Sequence, residues 1–184
     1  MAPIYPDSGK RVSQHRIAFR APACRMLILV SALASALLLA IPILGWIALP
    51  ASVPVFSRFL MIAVPLLILV GALPFAIRGY RLQDGTLRIQ RPGWATRLDL
   101  DGLLKAEADP SAMSGSLRIA GNGGLFSFTG WFWSRRLGRY RAFVMDPARS
   151  VILKFSDRTV VVSPDAPDEF VAALRVEPVP SDHH

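Results

Sequence analysis

The sequence predicts a membrane-anchored protein in which two apolar helices precede a mainly-β barrel that a C-terminal helix covers. Three observations predict this class. Two long apolar runs lie within the first 77 residues, short alternating segments broken by turn residues follow, and helical spacing returns near the C-terminus. Apolar residues make up 52% of the 184 positions, which indicates that part of the chain lies in lipid.

The first apolar run extends from Met26 to Leu49 and contains no ionisable side chain. Its 24 residues would form a helix of about 36 Å, enough to cross a hydrocarbon core of about 30 Å. The second run, Phe59 to Ile77, has 19 residues and would reach about 28 Å. A cleaved signal peptide is the competing interpretation of the first run, but that run is long and a second one follows directly. We therefore predict a transmembrane hairpin over residues 26–77.

The basic residues around these runs predict the orientation of the hairpin. Five precede the first run, one (Arg58) lies in the connection that starts at Pro50, and five lie between residues 78 and 97. Cytoplasmic flanks carry the excess of Lys and Arg, so both termini are expected in the cytoplasm and residues 1–25 form a basic cytoplasmic tail. Neither run holds an ionisable residue of the kind that transporters need, which favours an anchor.

From residue 78 onward the pattern is that of short strands. Asp84-Gly85 suits a two-residue hairpin turn, and residues 163–175 combine early acids with apolar residues at helical spacing. We predict a barrel of about seven antiparallel strands and a covering helix over residues 78–175, followed by a flexible tail, 176–184. The segments with strand character are 80–83, 86–90, 95–100, 103–108, 116–119, 125–132, 139–145, 151–155 and 159–162.

Several stretches of this region resemble the bacterial PH-like domain proteins. They are DGTLRI (84–89), DPSAMSGSLRIAGNGGLF (109–126), RRLGRYRA (135–142) and DRTVVVSPDAPDEFVAAL (157–174). The resemblance covers nearly the whole region after the apolar runs, and the two-span N-terminal half fits membrane-anchored members. It implies a pleckstrin-homology-like barrel of two packed antiparallel sheets with a C-terminal helix, in a bacterial plasma membrane. It implies no reaction, because the fold is a scaffold.

The candidate contact residues lie in one stretch that we expect to form a glycine-turned hairpin: Trp131, Trp133, Arg135, Arg136, Arg139 and Arg141. Each exposed arginine near an anionic leaflet adds on the order of 1 kcal/mol, so this cluster is a candidate lipid or partner contact. The alternative is that the arginines form a solvated face paired with Asp146 or Asp157 while the aromatic residues are core. Eukaryotic PH domains that bind phosphoinositides use basic residues around the loop between their first two strands. The corresponding turn here, Asp84-Gly85, is tight and acidic, so that lipid site is not expected in this chain.

Other chemistry is not expected from this sequence. A nucleotide loop over residues 121–124 would need glycine at Phe126 and a helix after it. Three scattered histidines and a single cysteine predict no metal site and no cofactor, and Cys24 is expected to be an unmodified thiol rather than an acylated one. Residues 78–175 contain no histidine to serve as a base, so no enzymatic activity is expected.

The function expected from the sequence is therefore that of an interaction module. Residues 78–175 carry 15 basic and 10 acidic side chains, a net charge of +5 that membrane proximity explains without a nucleic-acid partner. We expect a scaffold that binds a protein partner at the membrane, and direct recognition of anionic lipid by the stretch from Arg135 to Arg141 is the alternative.

Overall fold

The computed structural model describes residues 17–50 and 52–176. It contains two long helices, α1 (Arg25–Ala48) and α2 (Val55–Ala72), and a final helix, α3 (Pro167–Val176). The strands are β1 (Ile17–Arg20), β2 (Gly79–Gln83), β3 (Thr86–Gln90), β4 (Ala95–Asp99), β5 (Leu103–Ala108), β6 (Leu117–Gly123), β7 (Phe128–Ser134), β8 (Gly138–Val144), β9 (Val151–Phe155) and β10 (Thr159–Val162). They form a four-stranded sheet, β1-β2-β3-β4, and a six-stranded sheet, β5-β9-β10-β8-β7-β6.

The helices α1 and α2 are long and apolar enough to cross a membrane, and most of their large side chains are exposed. The second helix begins at Val55, four residues before the predicted start, because Ser57 and Arg58 interrupt the apolar run without breaking the helix. It passes into a short 3-10 turn, Leu73–Phe75, at Pro74, which lacks the N–H that a further helical turn requires.

The strand β1 is absent from the sequence prediction, which assigned residues 1–25 to a tail. It pairs antiparallel with β2, so that Phe19 lies opposite Tyr80 and Arg20 opposite Gly79. The helices α1 and α2 are therefore inserted between two neighbouring strands of one sheet. Four residues surrounded by basic ones are too short a pattern to identify from the sequence. Residues 1–16 of the predicted tail, and all of the predicted tail 176–184 beyond Val176, lie outside the described residues.

The expectation of about seven strands, all antiparallel, is wrong in two respects. Residues 78–175 contain nine strands, β2 to β10, and β10 runs parallel to β8. After β8 the chain passes through a short 3-10 turn, Pro147–Arg149, and forms β9 one strand position away from β8. It then returns as β10, which fills the position between β8 and β9. The other strand pairs are antiparallel, as predicted.

The main core lies between the two sheets, and α3 covers it with Phe170 and Leu174, as the sequence predicted for a C-terminal helix. A buried tyrosine joins the sheets: the Tyr80 hydroxyl donates to the carbonyl oxygen of Phe143 (2.7 Å) and accepts from the backbone N–H of Ser163 (3.1 Å). Burial raises the pKa of Tyr80 to about 12. The junction between the sheets is thus fully buried and hydrogen-bonded.

A smaller core covers the opposite face of the six-stranded sheet. The irregular segment 109–115, which lies between two predicted strands, places Ala112 and Met113 against Phe132 and Tyr140. Tyr140 also donates from its hydroxyl to Ser116 Oγ at 2.6 Å, and burial raises its pKa. The central strands of this sheet are therefore buried on both faces.

The first two turns of α1 pack against the β-domain. The N–H of Cys24 donates to the carbonyl oxygen of Met145 (3.2 Å), and Leu27 is buried in the main core. Ser31 Oγ accepts from the N–H of Phe126 (2.9 Å) and donates to the carbonyl oxygen of Gly124 (3.3 Å). The turn between β6 and β7 is consequently fixed to the side of α1.

Candidate functional site

The predicted glycine-turned hairpin is confirmed as β6 and β7, joined by residues 124–127. Both strands extend beyond their predicted ends at Ile119 and Phe132. Gly121 and Gly130 lie opposite each other with positive φ, and a Cβ on either would collide with the backbone of the other strand. The side chain of Asn122 then closes the turn through hydrogen bonds with the backbone of Leu125.

The register of β6, β7 and β8 places five side chains on one face, which we call the tryptophan face: Leu117, Trp131, Trp133, Arg139 and Arg141. One row runs from Leu117 through Trp133 to Arg139, and in the next row Trp131 lies opposite Arg141. Leu117 is 65% exposed, Trp133 41% and Trp131 36%. The guanidinium carbon of Arg139 lies 4.3 Å from the centre of the Trp131 ring. Large apolar side chains and two cations thus share an exposed surface.

The four candidate arginines lie on two neighbouring elements. Arg139 and Arg141 lie on the tryptophan face, whereas Arg135 and Arg136 occupy the turn between β7 and β8. That turn is at the far end of β7 from the turn that contacts α1, a separation of about 23 Å for seven strand residues. Arg139, opposite Trp133, is the strand arginine that lies nearer to this turn.

The ion pairs differ from those of the alternative interpretation, in which the arginines form a solvated face. Arg136 contacts Asp109, whose pKa is lowered chiefly by the Ser111 hydroxyl and also by Arg136. Among the described residues, Asp146 and Asp157, the acceptors in that alternative, contact Arg149 and Arg158, which are their near neighbours in the sequence. The two arginines of the tryptophan face make no salt bridge within the described part of the chain, and both are exposed.

The strand β6 has a neighbour on one side only within the described residues, so its outer edge is open there. Leu117 and Ile119, 65% and 55% exposed, lie on this strand, and the register shifts at the bulge between Arg118 and Ala120. Nearly every side chain of β6 is exposed. An open edge next to exposed tryptophans is a feature that monomeric proteins normally protect.

A second charged surface was not predicted from the sequence. The register places Arg81, Arg88 and Arg97 opposite one another on β2, β3 and β4, and we call these three residues the arginine row. Their neighbours Leu82 and Leu87 are buried, so the row lies on the outer face of the four-stranded sheet. None of the three has a salt-bridge partner among residues 17–50 and 52–176.

A signal for this row was present in the sequence. Asp84 and Gly85 both have positive φ, 50° and 68°, as a two-residue primed turn requires. A two-residue loop pairs the residues that flank it, so Arg81 must lie opposite Arg88. The predicted turn thus determined the position of two of the three arginines.

A buried arginine lies where α2 meets the β-domain. Arg91 is 8% exposed, and its backbone N–H donates to the carbonyl oxygen of Trp94 (2.9 Å). Its guanidinium carbon lies 5.8 Å from the ring centre of Phe75, in the turn that ends α2, and 5.3 Å from that of Phe143. Arg141 approaches the same Phe143 ring to 4.9 Å. Burial, and then the charge of Arg141, lower the pKa of Arg91.

Within the described chain, no group of three or more His, Cys, Asp or Glu side chains is placed to hold a metal ion. The thiol of Cys24 accepts a hydrogen bond from the N–H of Leu27 at 3.4 Å and caps α1. The surfaces described above are therefore the candidate sites.

Two packed sheets with a C-terminal helix at their open end define the class of PH-like domains, a scaffold that presents surfaces. Residues 78–177 match the family model described as bacterial PH domain. This match covers more than half of the sequence, and the chain belongs to the bacterial PH domain family. No curated protein and no solved structure matches the chain.

Proposed function

We propose that this is an integral membrane protein that presents a cytoplasmic PH-like module to a protein partner. In this proposal α1 and α2 cross a bacterial plasma membrane, both termini are cytoplasmic, and the module scaffolds a membrane complex without catalysis and without a nucleic-acid partner. The partner adds an extended segment to the open edge of β6 and covers the tryptophan face.

The observation that carries this proposal is the combination of an open edge and exposed tryptophans. An edge strand offers backbone donors and acceptors to an incoming strand, and adjacent side-chain sites provide specificity. Trp133 lies directly opposite Leu117 on β6, so a strand added beyond β6 would extend this apolar row. Tryptophan and arginine are also the residues that most often dominate binding energy at protein interfaces.

The helices and their flanks support the membrane location. Apolar side chains of α1 and α2 remain exposed over most of their length, which water would not favour but lipid would. The excess of basic residues on the two outer flanks supports cytoplasmic termini. Because the turn 124–127 is hydrogen-bonded to Ser31, the module would be held directly at the membrane surface.

A second candidate function is direct contact with anionic lipid, and the arginine row favours it. Arg81 follows Gly79, the first residue of β2, by two positions, and therefore lies about 7 Å further along the strand. Phe75, at the end of the apolar helix, precedes Gly79 by only four residues. Three arginines so close to an anionic leaflet would contribute about 3 kcal/mol to membrane attachment.

Paired substitutions in the full-length protein separate the two functions. We expect Leu117→Asp combined with Trp133→Ala to reduce recovery of a cross-linked protein partner from membranes at least tenfold, because the apolar row is lost. The matched control, Arg81→Glu with Arg97→Glu, should leave partner recovery unchanged. If the control variant loses the partner and the β6 variant keeps it, the proposed binding edge is wrong.

A further inference from the structure

We propose that Arg91 and Arg141 form a binding site for a phosphate group at the junction of α2 and the β-domain. This site lies apart from the edge of β6 and shares one residue, Arg141, with the tryptophan face. Its other residue, Arg91, was predicted only as part of a basic flank. The attachment of the phosphate to a lipid headgroup rests on the proposed membrane location, whereas binding of free phosphate does not.

Arg91 is buried without a counter-charge among the described residues. Its Nε atom is buried and has no hydrogen-bond partner, and its guanidinium contacts no carboxylate among the described residues. Removing a charge from water is strongly unfavourable unless an opposite charge or hydrogen bonds compensate. The aromatic faces of Phe75 and Phe143 offset only part of that penalty. The position is therefore favourable for a bound anion.

Arg91 and Arg141 both contact the ring of Phe143. Their guanidinium carbons lie 5.3 Å and 4.9 Å from the centre of Phe143, so they are at most about 10 Å apart. Arg141 is exposed and can adjust its side chain, whereas Arg91 is held by its turn. In this proposal Arg141 turns toward Arg91, so that a single phosphate group accepts from both and its negative charge relieves their mutual repulsion.

The chemistry and the location of the two arginines favour a phosphate group as the ligand. The planar guanidinium donates in pairs to phosphate and carboxylate oxygens, and a tetrahedral phosphate can accept from two arginines at once. Arg91 contacts Phe75 at the end of the second apolar helix, the level at which a span reaches lipid headgroups. The location therefore favours phosphate over the carboxylate of a protein partner.

The test measures thermal unfolding of the full-length protein in a non-ionic, phosphate-free detergent. Inorganic phosphate is compared with acetate at equal ionic strength, and a third sample contains phosphatidylglycerol nanodiscs with neutral glycolipid nanodiscs as reference. We expect phosphate, the phosphatidylglycerol bilayer, or both to raise Tm by about 3–5 °C when the site is mostly occupied. Acetate should have a much smaller effect.

Two variants and one control assign the shift to this site. Arg141→Gln, at an exposed position, should fold normally and lose most of the shift. Arg91→Met should lose the shift and raise Tm in the ligand-free sample, because it removes an unpaired buried charge. Arg175→Gln, an exposed arginine on α3, should keep the full shift.

The source of the phosphate follows from the two arms. A shift with inorganic phosphate identifies free phosphate as sufficient, and a shift confined to the phosphatidylglycerol bilayer identifies a lipid headgroup. An absence of shift in both arms, an equal shift with acetate, or a full shift in both Arg141→Gln and Arg91→Met would overturn the proposal. None of these outcomes depends on partner binding at β6, so the two proposals fail independently.

Discussion

The tryptophan face and the arginine row have the same construction and opposite chemistry. Each is a set of side chains aligned across antiparallel strands by register. The tryptophan face exposes large apolar side chains. The arginine row instead carries three positive charges, with Arg81 and Arg97 exposed and Arg88 half-buried. The comparison shows that the two sheets of one domain present surfaces of opposite chemistry, built by the same alignment of side chains across strands.

The strongest way to separate the two surfaces is to remove the strand that precedes the helices. A fragment of residues 78–184 retains the tryptophan face but lacks β1, and thus loses Phe19 and Leu27 from the core. We expect it to be largely unfolded, because truncating two buried side chains of this size typically costs about 2–5 kcal/mol each. Far-UV circular dichroism and hydrogen exchange measure the result.

The matched fragment restores β1 without the helices. Because Arg20 lies opposite Gly79, an Asn-Gly linker between these two residues should close a two-residue hairpin. This fragment should be folded and more protected from exchange than residues 78–184. Equal protection in both fragments would show that the four-stranded sheet does not need β1.

A smaller effect is expected at the junction that holds the two surfaces together. Tyr80→Phe leaves a buried carbonyl of Phe143 and the N–H of Ser163 without their partner, and should destabilise the protein by about 2–3 kcal/mol. Tyr140→Phe removes a single hydrogen bond to Ser116 and should cost about 1 kcal/mol. Denaturant unfolding of the full chain in detergent would measure both, and an equal cost would contradict a special role for the junction.

The pH dependence of stability provides a control for Tyr80. Its pKa is raised from 10.0 to about 12 in the folded state, so the neutral side chain is the form that folding favours. Its contribution is therefore fully present below pH 10 and is lost as the pH rises from 10 through 12. Tyr80→Phe should remove this part of the alkaline destabilisation.

The smallest effect is expected in the arginine row. Like charges directly opposite each other destabilise a sheet, so Arg88→Gln, at the centre of the row, should stabilise the protein by about 0.2–1 kcal/mol at low salt. The gain should diminish in 0.5 M salt, where screening weakens the repulsion. Thr86→Ser, on the same strand, is the matched control. A salt-independent loss of stability in Arg88→Gln would show that the row is compensated by anions or by packing.

The predictability of these features from the sequence differs for physical reasons. The β2–β3 hairpin follows from Asp84-Gly85, because a two-residue loop determines its register. The strand β1 does not follow from local sequence, because its four residues form a strand by pairing with β2, which lies about 60 positions later in the chain. A local sequence pattern cannot identify a pairing strand that is separated by two helices.

The surface positions show the same limit. Alternation indicates that Trp131 and Trp133 share one face and Phe132 the other, but not which of the two is covered. Segment 109–115 decides this by covering Phe132, and no local pattern predicts that packing. The placement of the four arginines on a strand and on a turn likewise depends on where β7 begins and ends. The predicted strand, 125–132, begins three residues before β7 begins and ends two residues before β7 ends.

Site-specific photo-cross-linking in native membranes tests the central claim most directly. A photoreactive residue at Leu117 should yield a discrete adduct with a protein, since this position lies on the open edge beside Trp133. The same residue at Arg88, in the arginine row, should yield lipid adducts or none. A protein adduct at Arg88 together with no protein adduct at Leu117 would contradict partner binding at the β6 edge.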